Sequence, residues 1–461
     1  MKSIVTKFNC HINTTTFYCS QLIQRIIFFV FSGFAICLCH QAIAAPSDLD
    51  PVFNGNGYVF ANSSMMPSDG QKLLLQPDGK IVVLSEASRI VLRRYLTNGE
   101  LDTQFGVSGT AALPFGVGLT MVLQPDGKII VAGGNGIESL LVRFLPSGSL
   151  DAAFGSGGVF TFLAGGDSSL IWSMALRSDG KIITAGRSTH NFQGKAYLTR
   201  HLQNGSLDTT FGTNGVTYPT ICASPYSTYF FGLALQYDGK MLTLANSGSC
   251  LSRFLADGSV DPSFGLNGHV QPGILAGTLS VLIDGKILIG GHGNYPGLLP
   301  GFALERYLPD GSLDPSFGIN GLAVKQINYD ASIYGMAIGM NGSIVAVGRS
   351  HPSPSSPHRW TVTRFLPNGA PDPVFGTEGS AFFAFDDMTE AHDVRIQPDG
   401  KIVITGVGDA VGNSPSYFVI ARLIGDQTTP SGIPTLSWHA LALLTLSLGL
   451  LGVVYRKRKN S

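Results

Sequence analysis

The sequence predicts an all-β fold, a seven-bladed β-propeller of four-stranded antiparallel blades, with a signal segment before it and a transmembrane helix after it. Three observations carry this prediction. An Asp-x-x-Phe segment begins at Asp50, Asp102, Asp151, Asp208, Asp261, Asp314 and Asp372, at intervals of 49 to 58 residues, a period in the range of propeller blades. A turn, Gln76-Pro77-Asp78-Gly79-Lys80, recurs around Gly127, Gly180, Gly239, Gly285, Gly342 and Gly400. An arginine recurs as often, as Arg94, Arg143, Arg200, Arg253, Arg306, Arg364 and Arg422. Seven copies of each landmark in a fixed order make seven units across residues 45–425.

Composition fits short strands joined by tight turns. Charged residues are 13% of the 461, about half of the roughly 25% of an average soluble domain. Glycine, at 58, is nearly twice its usual share of about 7%. The formal net charge is +0, so no overall field favours nucleic acid, and no nucleic-acid partner is expected.

Residues 1–25 carry Lys2, Lys7 and Arg25 with no acidic residue, and an apolar run from Ile26 to Leu38 leads to Ala42-Ile43-Ala44. This reads as a signal peptide over residues 1–44, cleaved near Ala44. An uncleaved anchor helix is the alternative. Cleavage would remove Cys10, Cys19, Cys37 and Cys39 and leave only Cys222 and Cys250, which can pair in an exported protein.

Within each unit the pattern gives four strands. The first is short and glycine-bounded, as in Gly158-Val159-Phe160-Thr161-Phe162-Leu163. The second ends at the Asp-Gly turn and alternates, with one apolar face seven times over (Leu73 and Leu75, Met121 and Leu123, and their equivalents). The Asp-Gly pair is expected to form a two-residue primed hairpin, because Gly accepts and Asp tolerates positive φ. The third strand is apolar without alternation, as in Ile402-Val403-Ile404, which suggests burial on both faces. Its fifth residue after the turn is small in each unit (Ser85, Gly133, Gly186, Ala245, Gly291, Gly348 and Gly406), leaving room for close backbone approach. The fourth ends at a second Asp-Gly or Asn-Gly turn. Four antiparallel strands repeated seven times close into a ring, whereas an open solenoid would need polar capping units at its ends. If Tyr58–Ala61 pairs with Tyr417–Leu423, it completes the last blade.

The segments Phe-Gly-x-x-Gly, Gln-Pro-Asp-Gly-Lys-Ile and Arg-Phe-Leu-Pro-Asp-Gly-Ser-Leu-Asp resemble the bacterial delta-60 repeat, and the resemblance implies a propeller-like array from Asp50 to Leu423. It brings no catalytic residues. Gly339-Met340-Asn341-Gly342-Ser343 departs from the repeat, and the last unit trails off as Arg422-Leu423-Ile424-Gly425.

Residues 426–437 form a linker ending in Ile433, Pro434, Thr435, Leu436 and Ser437. An apolar segment, 438–455, and a basic tail, 456–461, follow. As a helix the apolar segment would span about 27 Å, close to a bilayer core of about 30 Å, and the basic tail fixes its cytoplasmic end. The short motif resembles the IPTL-CTERM class of sorting signals, which implies an exosortase-like processing protease as a partner.

No metal, cofactor or catalytic residue is assigned. The recurring Asp residues read as turn formers, since no bidentate Glu follows at calcium-loop spacing. The recurring Arg reads as the structural partner of the recurring Asp. Ten histidines, among them His190, His201, His269, His292, His351, His358 and His392, show no ligand spacing and read as surface or loop residues. Connection lengths vary on one face, through the polar stretches 188–195, 221–228 and 350–359. Binding residues are expected there. Cys222 and Cys250 also fall on this face, within one unit, so a disulfide is expected, with two unpaired thiols as the alternative. The preferred function is an exported, surface-displayed or released non-catalytic propeller that binds an extracellular glycan, protein or matrix component. An extracellular polysaccharide-acting enzyme, with titratable groups from different blades converging at the channel mouth, and a purely structural surface protein are the rivals.

Overall fold

A computed structural model describes residues 44–62, 72–86, 89–222, 228–246, 250–293, 301–327, 330–353, 355–385, 388–409 and 417–426. The signal segment before Ala44, the motif Ile433–Ser437, the helix 438–455 and the basic tail lie outside the described residues. Among the described residues no helix is long and apolar enough to cross a membrane.

The propeller unit holds seven four-stranded antiparallel sheets. Blade one runs through Lys72–Leu75, Ile81–Glu86, Ile90–Tyr95 and Thr110–Leu113, from the innermost strand outward. Five blades repeat that order. Blade seven takes Met388–Ile396, Ile402–Asp409 and Tyr417–Leu423 from the end of the array and its outermost strand, Tyr58–Asn62, from the beginning. Tyr58 faces Ala421 and Asn62 faces Tyr417. The innermost strands contact one another in a closed cycle, so the ring has no free blade face.

Counted within a blade, second strands are the third strands of the sequence units, and they are buried on both faces, as their unbroken apolar pattern requires; Ile129–Gly134 is buried throughout. They form the walls between blades. Val82 and Leu84 of blade one pack with Met121, Val131 and Val142 of blade two. The small residue late in the second strand is needed because the innermost strand bulges against it. A Cβ at Gly133 would overlap the Val117 carbonyl, and one at Gly348 would overlap that of Ser332.

The landmark residues form one repeated clamp. Each recurring Arg donates from Nε to Oδ2 of its Asp at 2.7–2.8 Å, and the last, Arg422, pairs with the first, Asp50. Each guanidinium lies 4.4–5.0 Å from the ring centroid of the buried Phe three residues after that Asp. Nη1 reaches the next blade, where Arg94 meets the Pro146 carbonyl, Arg143 that of Gln203 and Arg422 that of Thr97. The turn lysine adds a second cation, as in Lys181–Asp208 at 2.8 Å. Blade six has Ser343 in the lysine position. Asp, Phe, Arg and Lys therefore recur because one clamp is built seven times.

The Asp-Gly turn differs from expectation. Gly79 has φ +82°, but no Asp of these turns has positive φ. Gly79 N–H donates to the Gln76 carbonyl and Gln76 N–H to that of Lys80, both at 2.9 Å. That is a three-residue type I turn with a glycine bulge, and the turns at Gly180, Gly239, Gly285 and Gly342, which lack the proline, close with the same pair of hydrogen bonds. The primed two-residue turn occurs instead at Asn191 and Phe192, with φ +49° and +64°. It shortens the expected 188–195 loop to a hairpin, because Ser188 still pairs with Lys195.

Candidate functional site

The innermost strands surround a central channel of about 620 Å³, lined by residues from all seven blades. Six of them carry a β-bulge, at Leu119, Trp172, Phe231, Gly277, Tyr334 and His392. A bulge re-aims one side chain out of the alternating pattern and is common beside functional sites. These six positions carry different side chains, unlike the repeated clamp. Phe231, Gly277 and Tyr334 line the channel. Trp172 stacks on Tyr229 at 5.2 Å with 29° between planes.

Polar groups gather where blade six meets blade seven. Arg349, on strand Ile344–Ser350, donates from Nη1 to Glu390 on the innermost strand of blade seven. Its Nη2 lies 3.6 Å from Asp330 Oδ2. Glu390 Oε1 is 3.3 Å from His358 Nδ1, and Glu390 Oε2 is 3.6 Å from His392 Nε2. The His351 and His358 rings are 3.9 Å apart, and His351 Nδ1 hydrogen-bonds the Ser356 carbonyl at 2.8 Å. Tyr334 connects the cluster to the channel, its ring 5.7 Å from that of His392 and 5.8 Å from Arg349 Cζ.

Electrostatics divides the roles within this cluster. Burial raises the Glu390 pKa, but hydrogen bonds and charge from His392 and Arg349 outweigh it and hold the group at about 2. Glu390 is therefore a carboxylate at neutral pH, suited to accepting hydrogen bonds. Burial, then the charges of Arg349 and His351, holds His358 below the ordinary imidazole value. An imidazole held neutral beside an ionised carboxylate, as His358 is, can accept and relay a proton or bind a metal.

Four histidines, His201, His269, His292 and His392, depart from the surface-or-loop reading by lying on strands, while His190 is exposed and His351 and His358 lie in a connection as expected. His201 ends strand Gln193–His201 with no exposed area, held by Thr199 Oγ1 at 2.8 Å and the Gly205 carbonyl at 2.9 Å. Burial pushes its pKa down to about 4. His269 and His292 also lie on strands. His351, His358 and His392 converge although 41 residues of sequence separate the first from the last. Folding of two adjacent blades, rather than linear spacing, brings them together. Of the other expected site residues, Cys222 and Cys250 are joined in a disulfide, with Cα atoms 6.1 Å apart. Ala44 lies at the very start of the described residues.

Six segments, 76–105, 124–154, 177–211, 236–264, 284–317 and 397–424, match the domain of unknown function (DUF5122) beta-propeller family. No curated protein matches the chain. Among solved structures, virginiamycin B lyase from Staphylococcus aureus is similar over 79% of this chain and 98% of its own, with 10% identity and a TM-score of 0.49. A polysaccharide lyase, an ulvan lyase bound to a sugar fragment, is similar over 80% of this chain and 96% of its own, with 10% identity and a TM-score of 0.48. With seven sheets, a closed ring and six segments matching that family, the chain is a β-propeller repeat protein.

Proposed function

We propose that this chain is exported and that its propeller binds an extracellular polysaccharide at the channel mouth. The observation carrying this reading is that the clamp residues repeat, while four of the six bulge positions on the innermost strands hold aromatic rings that differ from blade to blade, Trp172, Phe231, Tyr334 and His392. Stacked Trp172 and Tyr229 offer aromatic surface for the C–H faces of sugar rings. Arg349, Glu390, His358 and His392 offer donors and acceptors for hydroxyl or acidic groups. A protein or matrix component is the rival ligand.

The test is a glycan and protein binding panel on the purified full-length chain, with Trp172→Ala and Tyr334→Ala alongside. Binding to a glycan class is expected, weakened about tenfold or more in either variant with unchanged melting. If no glycan binds, or both variants bind like the parent, the reading fails. The second reading, a polysaccharide-acting enzyme, is favoured by ionised Glu390 lying among imidazoles from two blades. It predicts new reducing ends on incubation with the bound glycan, abolished by Glu390→Gln. Binding with unchanged chain length leaves the non-catalytic reading.

Delivery belongs to the same proposal. The signal peptide directs export, the 438–455 helix anchors the chain with the propeller outside, and an exosortase-like protease reads Ile433–Ser437. Pro434→Ala or Thr435→Ala is then expected to retain the propeller in the inner membrane. Fractionation showing the parent's level of surface display or release would leave only a generic anchor.

A further inference from the structure

We propose that Asp330, His351 and His358 form a binding site for a divalent transition-metal ion of the zinc class. One ligand atom from each residue lies within 4.8 Å of the other two, as one ion bonded at about 2.0–2.2 Å to imidazole nitrogen and carboxylate oxygen requires. Two imidazoles and one carboxylate favour zinc and its neighbours over magnesium or calcium, which take oxygen ligands.

Local structure prepares the ligands. His351 Nδ1 is engaged by the Ser356 carbonyl at 2.8 Å, which orients the ring and leaves Nε2 for the metal. The His351 backbone N–H donates to the Asp330 carbonyl at 3.2 Å, tying the two ligand-bearing connections of blade six together. His358 has a buried Nδ1 without a hydrogen-bond partner. Glu390 Oε1, 3.3 Å away, does not meet it in a hydrogen-bonding direction. A buried ring nitrogen left this way costs about 1–3 kcal/mol, and its position among ligating groups points to a metal as the missing partner.

Charge supports the assignment. Two carboxylates, Asp330 and Glu390, face the single guanidinium of Arg349, so the acidic groups of the cluster outnumber its fixed cation. Asp330 is about half exposed (49%), which leaves the coordination sphere open to water or a ligand oxygen, as in non-structural zinc sites. The other group of possible ligands among the described residues, Cys222, Cys250 and His269, has its two sulfurs committed to the disulfide.

This inference does not depend on the glycan reading, because metal binding is read directly. Unreduced full-length protein is titrated with zinc chloride by calorimetry and loaded with cobalt(II) for visible spectroscopy. One ion per chain is expected, with cobalt d–d bands and no thiolate charge-transfer band. His351→Gln and His358→Gln are expected to weaken zinc by more than the roughly 10–100-fold caused by losing an outer-shell partner, with unchanged melting of the metal-free protein. Asp330→Asn provides a milder variant should a histidine variant fail to fold. Zinc affinity equal in the parent and all three variants overturns the site. Binding that appears only after reduction, with a thiolate band, overturns it in favour of Cys222, Cys250 and His269.

Discussion

Ending the chain before Arg364 abolishes cooperative folding. The truncation removes three strands of blade seven, the outermost strand of blade six and the end of strand Arg359–Phe365, and it leaves Tyr58–Asn62 without the strand it pairs with. Two apolar walls then face water. On one side are Val345, Val347, Trp360 and Val362, on the other Phe53, Leu73, Ile81 and Val83. At about 1.5–3 kcal/mol for each large buried side chain, their exposure costs on the order of 10–20 kcal/mol. Whole domains have about 5–15 kcal/mol of stability. Calorimetry of the truncated protein should show no cooperative transition, and size-exclusion chromatography should show aggregates. A monomeric truncation with a sharp melt would mean that the blades stand as an open array.

The second large effect is expected at one side chain. Arg422→Ala should cost about 3–5 kcal/mol, the penalty for removing one partner of a buried ion pair. Arg422 is 4% exposed, donates to Asp50 at 2.8 Å and to the Thr97 carbonyl, and lies 4.7 Å from the Phe53 ring centroid. Without it Asp50 retains Lys401, at 3.3 Å, as its only ion-pair partner among the described residues. Burial raises the Asp50 pKa, but the Val52 N–H, Arg422 and Lys401 together hold it below its ordinary 3.8. A lowered carboxylate pKa contributes its full stability above pH 3.8 and loses it as pH falls through the folded value. The gap between parent and variant, measured by urea unfolding, should therefore be widest near neutrality and shrink in acid. Arg422→Lys should recover little, because an ammonium cannot stack and donate in the same fork. A variant within about 0.5 kcal/mol of the parent would show that the closing clamp is no stronger than a surface contact.

What was legible in the sequence follows from repetition. The blade count and the Arg–Asp pairing rest on landmarks that occur seven times, so accidental matches cancel and the clamp can be read even where blade six lacks its lysine, whereas the strand at which one blade ends and the next begins stays open in a repeat that has no marked start. The turn type is less legible, because an Asp-Gly pair serves both the primed turn and the glycine-bulge turn, and the same closure forms with Pro77 or with Ser178 before the Asp. The bulges were only half visible. Gly133 and Gly348 show that something approaches closely, while the alternating pattern of the strand hides the extra residue. The cluster of Asp330, Arg349, His351, His358, Glu390 and His392 was not legible. It occurs once, so it has no period, and its members come from four separate stretches of chain that only the packed ring brings together.

Closure by the first strand also sets a schedule for folding. Asp50 and Arg422 are 372 residues apart, and at about 5–20 residues per second of synthesis the second follows the first by on the order of 20–70 seconds. During that interval the N-terminal strand has no partner, the last wall is open and the ring cannot lock. A chain that had to thread a narrow translocation pore would gain from this delay, since the topology postpones its most stable state until the final blade has been made.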